Sequence, residues 1–111
     1  MAYYSSEFEQ QTEWLSMFAD IQALEFVKVF PREEVARFKV IYWDASDDSD
    51  YGREGGLRQM VVDFPYDLEG DSDEDGDYYW VDLVGLGGLE GKLSSDEINY
   101  MYDSISEALD L

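Results

Sequence analysis

Val35-Ala36-Arg37-Phe38-Lys39-Val40-Ile41-Tyr42-Trp43 decides the fold. Ala36, Phe38, Val40 and Tyr42 fall on one side of an extended chain, and Arg37 and Lys39 fall on the other. That period of two belongs to a strand with one buried face. The pattern returns in Leu57 to Phe64, where Met60, Val62 and Phe64 oppose Gln59 and Asp63. It returns again in Tyr78 to Leu86, with Tyr79, Val81 and Leu83 on one side. Phe26-Val27-Lys28-Val29-Phe30, stopped by Pro31, supplies a fourth strand upstream. The segments between these strands are polar and contain Gly, as hairpin connections do.

The flanks read as helices. Ser6 and Glu9 have capping-box spacing, and Trp14, Met17, Phe18 and Ile21 follow with helical period, widened by Phe8 and Leu15. The spacing predicts a helix over residues 6–23. Ser94 and Glu97 repeat the capping box ahead of Ile98, Met101, Tyr102, Ile105, Ala108 and Leu109. The order is α-β-β-β-β-α. It predicts one α+β domain over residues 1–111: an antiparallel four-stranded meander with both helices on one face.

Charge and composition bound the function. Seven Lys and Arg face 27 Asp and Glu, a net charge of −20, and the chain has no His and no Cys. Thiolate and His-based catalysis, zinc fingers, haem, iron–sulfur sites and disulfides are therefore excluded, and the expectation is a protein that is not an enzyme. Direct nucleic-acid binding needs a basic face that this chain lacks. Hydrophobic residues at 45% and aromatics at 16% separate it from a disordered acidic tail. No basic stretch followed by an apolar run marks the N-terminus, and no apolar run reaches membrane-spanning length. The expectation is a cytoplasmic protein with no membrane association.

The acid is clustered. Asp44, Asp47, Asp48, Asp50 and Glu54 form one group; Asp67, Glu69, Asp71, Asp73, Glu74, Asp75 and Asp77 form another. No Lys or Arg stands between Arg58 and Lys92. A meander puts successive loops at opposite ends of the sheet, so the two groups are expected about 26 Å apart along an eight-residue strand.

Asp71-Ser72-Asp73-Glu74-Asp75-Gly76-Asp77, followed by Asp82, resembles the calcium loop of EF-hand proteins over 12 residues. That resemblance implies calcium ligands at Asp71, Asp73, Asp75, Asp77 (through its carbonyl) and Asp82, with Gly76 at the sharp turn. The sequence departs from the family at Asp82, where Glu is expected, at Tyr78, and in lacking the upstream helix, which Pro65 forbids. The other reading is a solvated acidic hairpin loop.

The same acids suit imitation of phosphates. Alternate side chains of an extended run, such as Asp71, Asp73, Asp75 and Asp77, recur at about 6.6 Å, near the spacing of phosphates along a nucleic-acid strand. In size, charge, aromatic content and lack of Cys, the chain resembles the small acidic inhibitors of phages and mobile elements. These include anti-restriction proteins, anti-CRISPR proteins and inhibitors of uracil-DNA glycosylase. The resemblance is one of composition. It implies a partner with a basic surface, namely a nucleic-acid enzyme or defence complex in the host cytoplasm. Asp44, Asp47, Asp48, Asp50, Asp67, Glu69, Asp71, Asp73, Glu74, Asp75, Asp77, Tyr78 and Trp80 are the expected contacts. Tyr78 and Trp80, opposite the core face, offer ring faces to Arg, or to a second copy in a homodimer. Adaptation to a saline cytoplasm, and an immunity protein that plugs a basic nuclease, are the remaining readings of the charge.

Two further motifs point to structure. Gly85-Leu86-Gly87-Gly88-Leu89-Glu90-Gly91-Lys92 fails the phosphate-loop patterns at Leu86, Glu90 and Leu93 and reads as a flexible connection to the last helix. Ser94 and Ser95 read as helix caps, because no His exists to activate them.

Overall fold

The computed structural model describes residues 6–44 and 57–111. It has an α+β architecture in the expected order. Helix α1 (Ser6–Phe18) leads into strands β1 (Ala19–Phe30), β2 (Val35–Asp44), β3 (Arg58–Asp73) and β4 (Gly76–Leu83). A 3-10 turn (Gly87–Leu89) precedes helix α2 (Ser95–Ala108). The strands pair antiparallel in the order β1-β2-β3-β4.

The alternation in β2 is realised: Ala36, Phe38, Val40 and Tyr42 are buried. Val62, Phe64 and Tyr66 of β3 extend that face. Phe38 is its centre. Its ring meets Phe26 at 5.5 Å and Phe64 at 5.8 Å edge-on, and Tyr100 of α2 at 6.3 Å. Phe8 and Trp14 of α1 reach the same face, against Phe64 and Tyr42. Both helices thus cover one side of the sheet, and edge-to-face rings tie the layers together.

Several boundaries differ from expectation, β4 among them, which runs Gly76–Leu83 and not Tyr78 to Leu86. The first helix stops at Phe18, and residues 19–23 belong to β1. Ile21 satisfies either period, but as a strand residue it pairs with Tyr42, and Ala19 pairs with Asp44, completing the edge of β2. Sheet pairing overrides the local helical period. The buried stripe of α1 is accordingly Phe8, Thr12 and Leu15, while Met17 is exposed. The third strand runs 16 residues to Asp73, through what reads as an acidic loop. Bulges at Ile21/Ala23 and Phe26/Lys28 bend β1, and the Tyr100 hydroxyl accepts from the Phe26 amide at 2.8 Å.

Two of the glycines before α2, Gly87 and Gly88, pack tightly against α1, which a flexible connection would not do. Gly87 adopts φ 60°, and a Cβ there would collide with Thr12; one at Gly88 would lie 2.8 Å from the Ser16 hydroxyl. The turn lies directly on α1, and the buried Thr12 hydroxyl donates to the Phe8 carbonyl at 2.9 Å. The capping box of α2 forms: the Ser94 hydroxyl accepts from the Glu97 amide at 3.2 Å, and the Glu97 carboxylate accepts from the Ser94 amide at 3.0 Å. The Ser6 side chain lies outside the described residues, as do Asp47, Asp48, Asp50 and Glu54.

Strand β3 has two partners. Residues 58–65 pair with β2, and residues 66–73 pair with β4. Pro65 marks the exchange. Its carbonyl accepts from the Val84 amide just past the end of β4, while the Tyr66 amide donates to the Glu34 carbonyl. The proline nitrogen faces Val84, so this pair keeps one bond of two and the ladder to β4 ends there, while the bonds to β2 are untouched. Beyond this point β3 and β4 leave the helices as a two-stranded ribbon, and the long axis of the molecule is 61 Å against 25 and 22 Å.

Candidate functional site: an acidic aromatic ribbon

The ribbon register places each side chain. Asp71 pairs with Tyr78, Glu69 with Trp80 and Asp67 with Asp82. Directly paired residues share a face. One face therefore carries the row Asp67, Glu69, Asp71 and Asp73 on β3, with Tyr78, Trp80 and Asp82 beside it on β4. The opposite face carries Leu68, Gly70 and Ser72 beside Val81, Tyr79 and Asp77.

The turn fixes this register. Asp73 and Gly76 close the hairpin around Glu74 and Asp75. The Asp73 carboxylate accepts from the Asp75 amide at 2.8 Å, and Gly76 adopts φ 123°, a conformation that L side chains rarely take. The Asp71 carboxylate accepts from the Ser72 amide at 2.8 Å, and the Ser72 hydroxyl donates to Asp77 at 2.6 Å on the other face. Tyr79 lies over Gly70, where its ring occupies the space a Cβ would need. That contact replaces the side chain Gly70 lacks.

Tyr78 and Trp80 stack with centroids 5.7 Å apart and planes inclined by 28°. Both remain largely open to solvent, at 45% and 43% exposure, and Tyr79 behind them is 56% exposed. Val81 and Leu83 share the Tyr79 face but are buried, because α2 reaches the base of β4. At that base the Tyr102 hydroxyl accepts from the Leu83 amide at 3.3 Å and meets Asp82 at 3.4 Å.

This geometry corrects two expectations. Asp71, Asp73, Asp75 and Asp77 do not share a face: the chain reverses after Asp73, Asp75 sits in the turn, and Asp77 points to the opposite side. The row that does share a face begins earlier, at Asp67 and Glu69. The calcium loop is also not built. Asp82 lies five strand positions from Asp77, about 17 Å away, so one ion cannot take both. Among the described residues no three carboxylates converge to hold a metal ion.

Elsewhere on the sheet, two acid–base pairs cross the strands among the described residues. Arg37 makes two bonds to Asp63 across the strands, at 2.8 and 3.1 Å, and these bonds with the carboxylate's charge hold its pKa above the ordinary value. Its guanidinium also lies over the Phe30 ring at 4.6 Å. Lys39 meets Glu25 at 3.8 Å. The Gln11 amide donates to the Val61 carbonyl at 3.1 Å, so α1 covers the open edge of β3 there. On the ribbon, among the described residues, no cation pairs with Asp67, Glu69, Asp71 or Asp73.

Asp44, the one described acid of the first group, lies away from the ribbon. Asp44 ends β2 near the start of β3, and the turn after Asp73 lies at its far end. Asp67 lies nine strand positions beyond Arg58, about 30 Å, and Asp73 fifteen, about 50 Å. Among the described residues no helix is long and apolar enough to cross a membrane. No family model matches the chain, and neither a curated protein nor a solved structure matches it.

Proposed function

We propose that this protein is a non-enzymatic inhibitor that imitates nucleic-acid phosphates and occupies the basic site of a nucleic-acid enzyme or defence complex. The observation that carries this reading is the acidic face of the ribbon. Four carboxylates recur on one strand with, among the described residues, no paired cation, beside two stacked, exposed rings. A nucleic-acid strand presents the same alternation of regularly spaced anions and flat faces. Carboxylates attract Arg and Lys of the target and speed association through complementary fields, and the rings add contact area. The mechanism is occlusion: the ribbon fills the channel that the nucleic acid would enter.

The test is capture of partners on the immobilised protein from a bacterial lysate, with stepwise salt elution and competition by double-stranded DNA and by RNA. The expected result is one nucleic-acid enzyme, released at moderate salt, displaced by its own substrate and inhibited by the protein in solution. Elution of scattered basic proteins such as ribosomal subunits, with no inhibition of any, would overturn the reading.

A further inference from the structure

The stacked pair Tyr78 and Trp80 belongs to a sheet face that no described residue covers, and the molecule itself shows what such a face accepts. On β2, Arg37 satisfies two neighbours together: its guanidinium lies 4.6 Å from the Phe30 ring centroid while it makes two bonds to the carboxylate of Asp63, its cross-strand neighbour. A planar cation between a ring and a carboxylate makes both contacts without rearranging either. The ribbon repeats the ring and the carboxylate twice, as Trp80 opposite Glu69 and Tyr78 opposite Asp71. It has no Arg or Lys of its own to complete them, since none lies between Arg58 and Lys92.

We infer that this face binds arginine side chains of a basic protein partner, with guanidinium groups stacked on Tyr78 and Trp80 and paired to Asp71 and Glu69. The inference rests on the proposed inhibitor reading and narrows its partner to an arginine-bearing surface. Lysine would gain the charge attraction and a ring contact, as Lys28 makes with Phe30 at 5.4 Å, but no two-pronged bond to the carboxylate. Its ammonium is a compact, strongly hydrated point charge without a flat face or a two-pronged donor set. The charge of the ribbon attracts any cation, and the rings select among them.

The experiment titrates the full chain with deca-arginine and deca-lysine peptides at matched ionic strength by calorimetry. The expected result is about tenfold tighter binding of deca-arginine. In the double variant Tyr78→Leu, Trp80→Leu, deca-arginine binding should fall more than deca-lysine binding, so that the preference shrinks to within about twofold. Tyr79 stays in place over Gly70, and retention of the parent circular dichroism spectrum checks that the variant keeps its ribbon. Equal affinity of the two peptides for the parent protein, or a preference that survives the double variant, would overturn the arginine inference and leave the charge-based reading intact. If neither peptide binds at low salt, the inhibitor reading falls together with it.

Discussion

The body of the sheet and the ribbon share β3, yet they solve opposite problems. In the body, Arg37 faces Asp63 and Lys39 faces Glu25, and one side of the sheet is covered by two helices. In the ribbon, acids stand beside acids, and the residues from Leu68 to Trp80 are exposed. The comparison separates what holds the fold from the face proposed for binding. Burial of aromatic rings under α1 and α2 holds the fold. The ribbon is held by its backbone ladder, its turn, the Tyr79–Gly70 contact and its root on α2. A hairpin alone is marginal in water, so this one depends on the body for its shape.

That division can be broken first at the core. Phe38→Ala removes the ring that joins β1, β3 and α2, and is expected to cost about 3–5 kcal/mol, measured by chemical denaturation. A loss below about 1 kcal/mol would mean that the body does not carry the fold. Gly87→Ala comes next. It combines a positive φ with collision against Thr12 and is expected to lower stability by about 1–3 kcal/mol. Tolerance of this change would show that the turn need not touch α1.

Neutralising the ribbon should act in the other direction. Asp67→Asn, Glu69→Gln, Asp71→Asn and Asp73→Asn together are expected to raise the thermal midpoint by a few degrees in dilute buffer. Salt should supply the same gain to the parent protein by screening, so the difference is expected to vanish near 1 M salt. A variant that melts lower than the parent would show that the carboxylates hold the ribbon's shape.

The smallest effect is expected from alkaline pH. Burial, with Asp44 adding to it and Arg58 opposing it, pushes the Tyr42 phenol above its ordinary value; burial and Glu34 do the same for Tyr66. Above about pH 10 the unfolded chain releases protons that the folded chain retains. The unfolded state then binds fewer protons, so stability falls as pH rises. The contribution is complete below pH 10 and disappears as pH passes the folded values. Denaturation midpoints between pH 9 and 11.5 check this, and Tyr42→Phe should flatten the decline.

The sequence exposes the body more clearly than the ribbon. The period of two in Val35–Trp43 and the capping box at Ser94 specify β2 and the start of α2, because local pattern and tertiary role agree there. Residues 19–23 fit both helix and strand, and the open edge of β2 decides between them. The acids from Asp67 to Asp73 look like a loop because repeated carboxylates are poor strand formers. They form a strand because Tyr78, Tyr79 and Trp80 opposite them are good ones. A signal for this is present at the turn. Counting outward from Glu74-Asp75, with Gly76 closing it, gives the pairs Asp71–Tyr78 and Glu69–Trp80 and so reveals the face.

The central claim is that the position of the acids on the ribbon, beyond their number, makes the binding surface. Its most direct test compares two variants of equal net charge: the fourfold ribbon neutralisation, and Asp96→Asn, Asp103→Asn, Glu107→Gln, Asp110→Asn at the C-terminal helix. Deca-arginine affinity would be measured for each across a range of salt. The account predicts that the ribbon variant loses at least about tenfold in affinity and much of its salt dependence, whereas the helix variant stays within about twofold of the parent. Equal losses in the two variants would contradict it and reduce the ribbon to one part of a uniformly acidic surface.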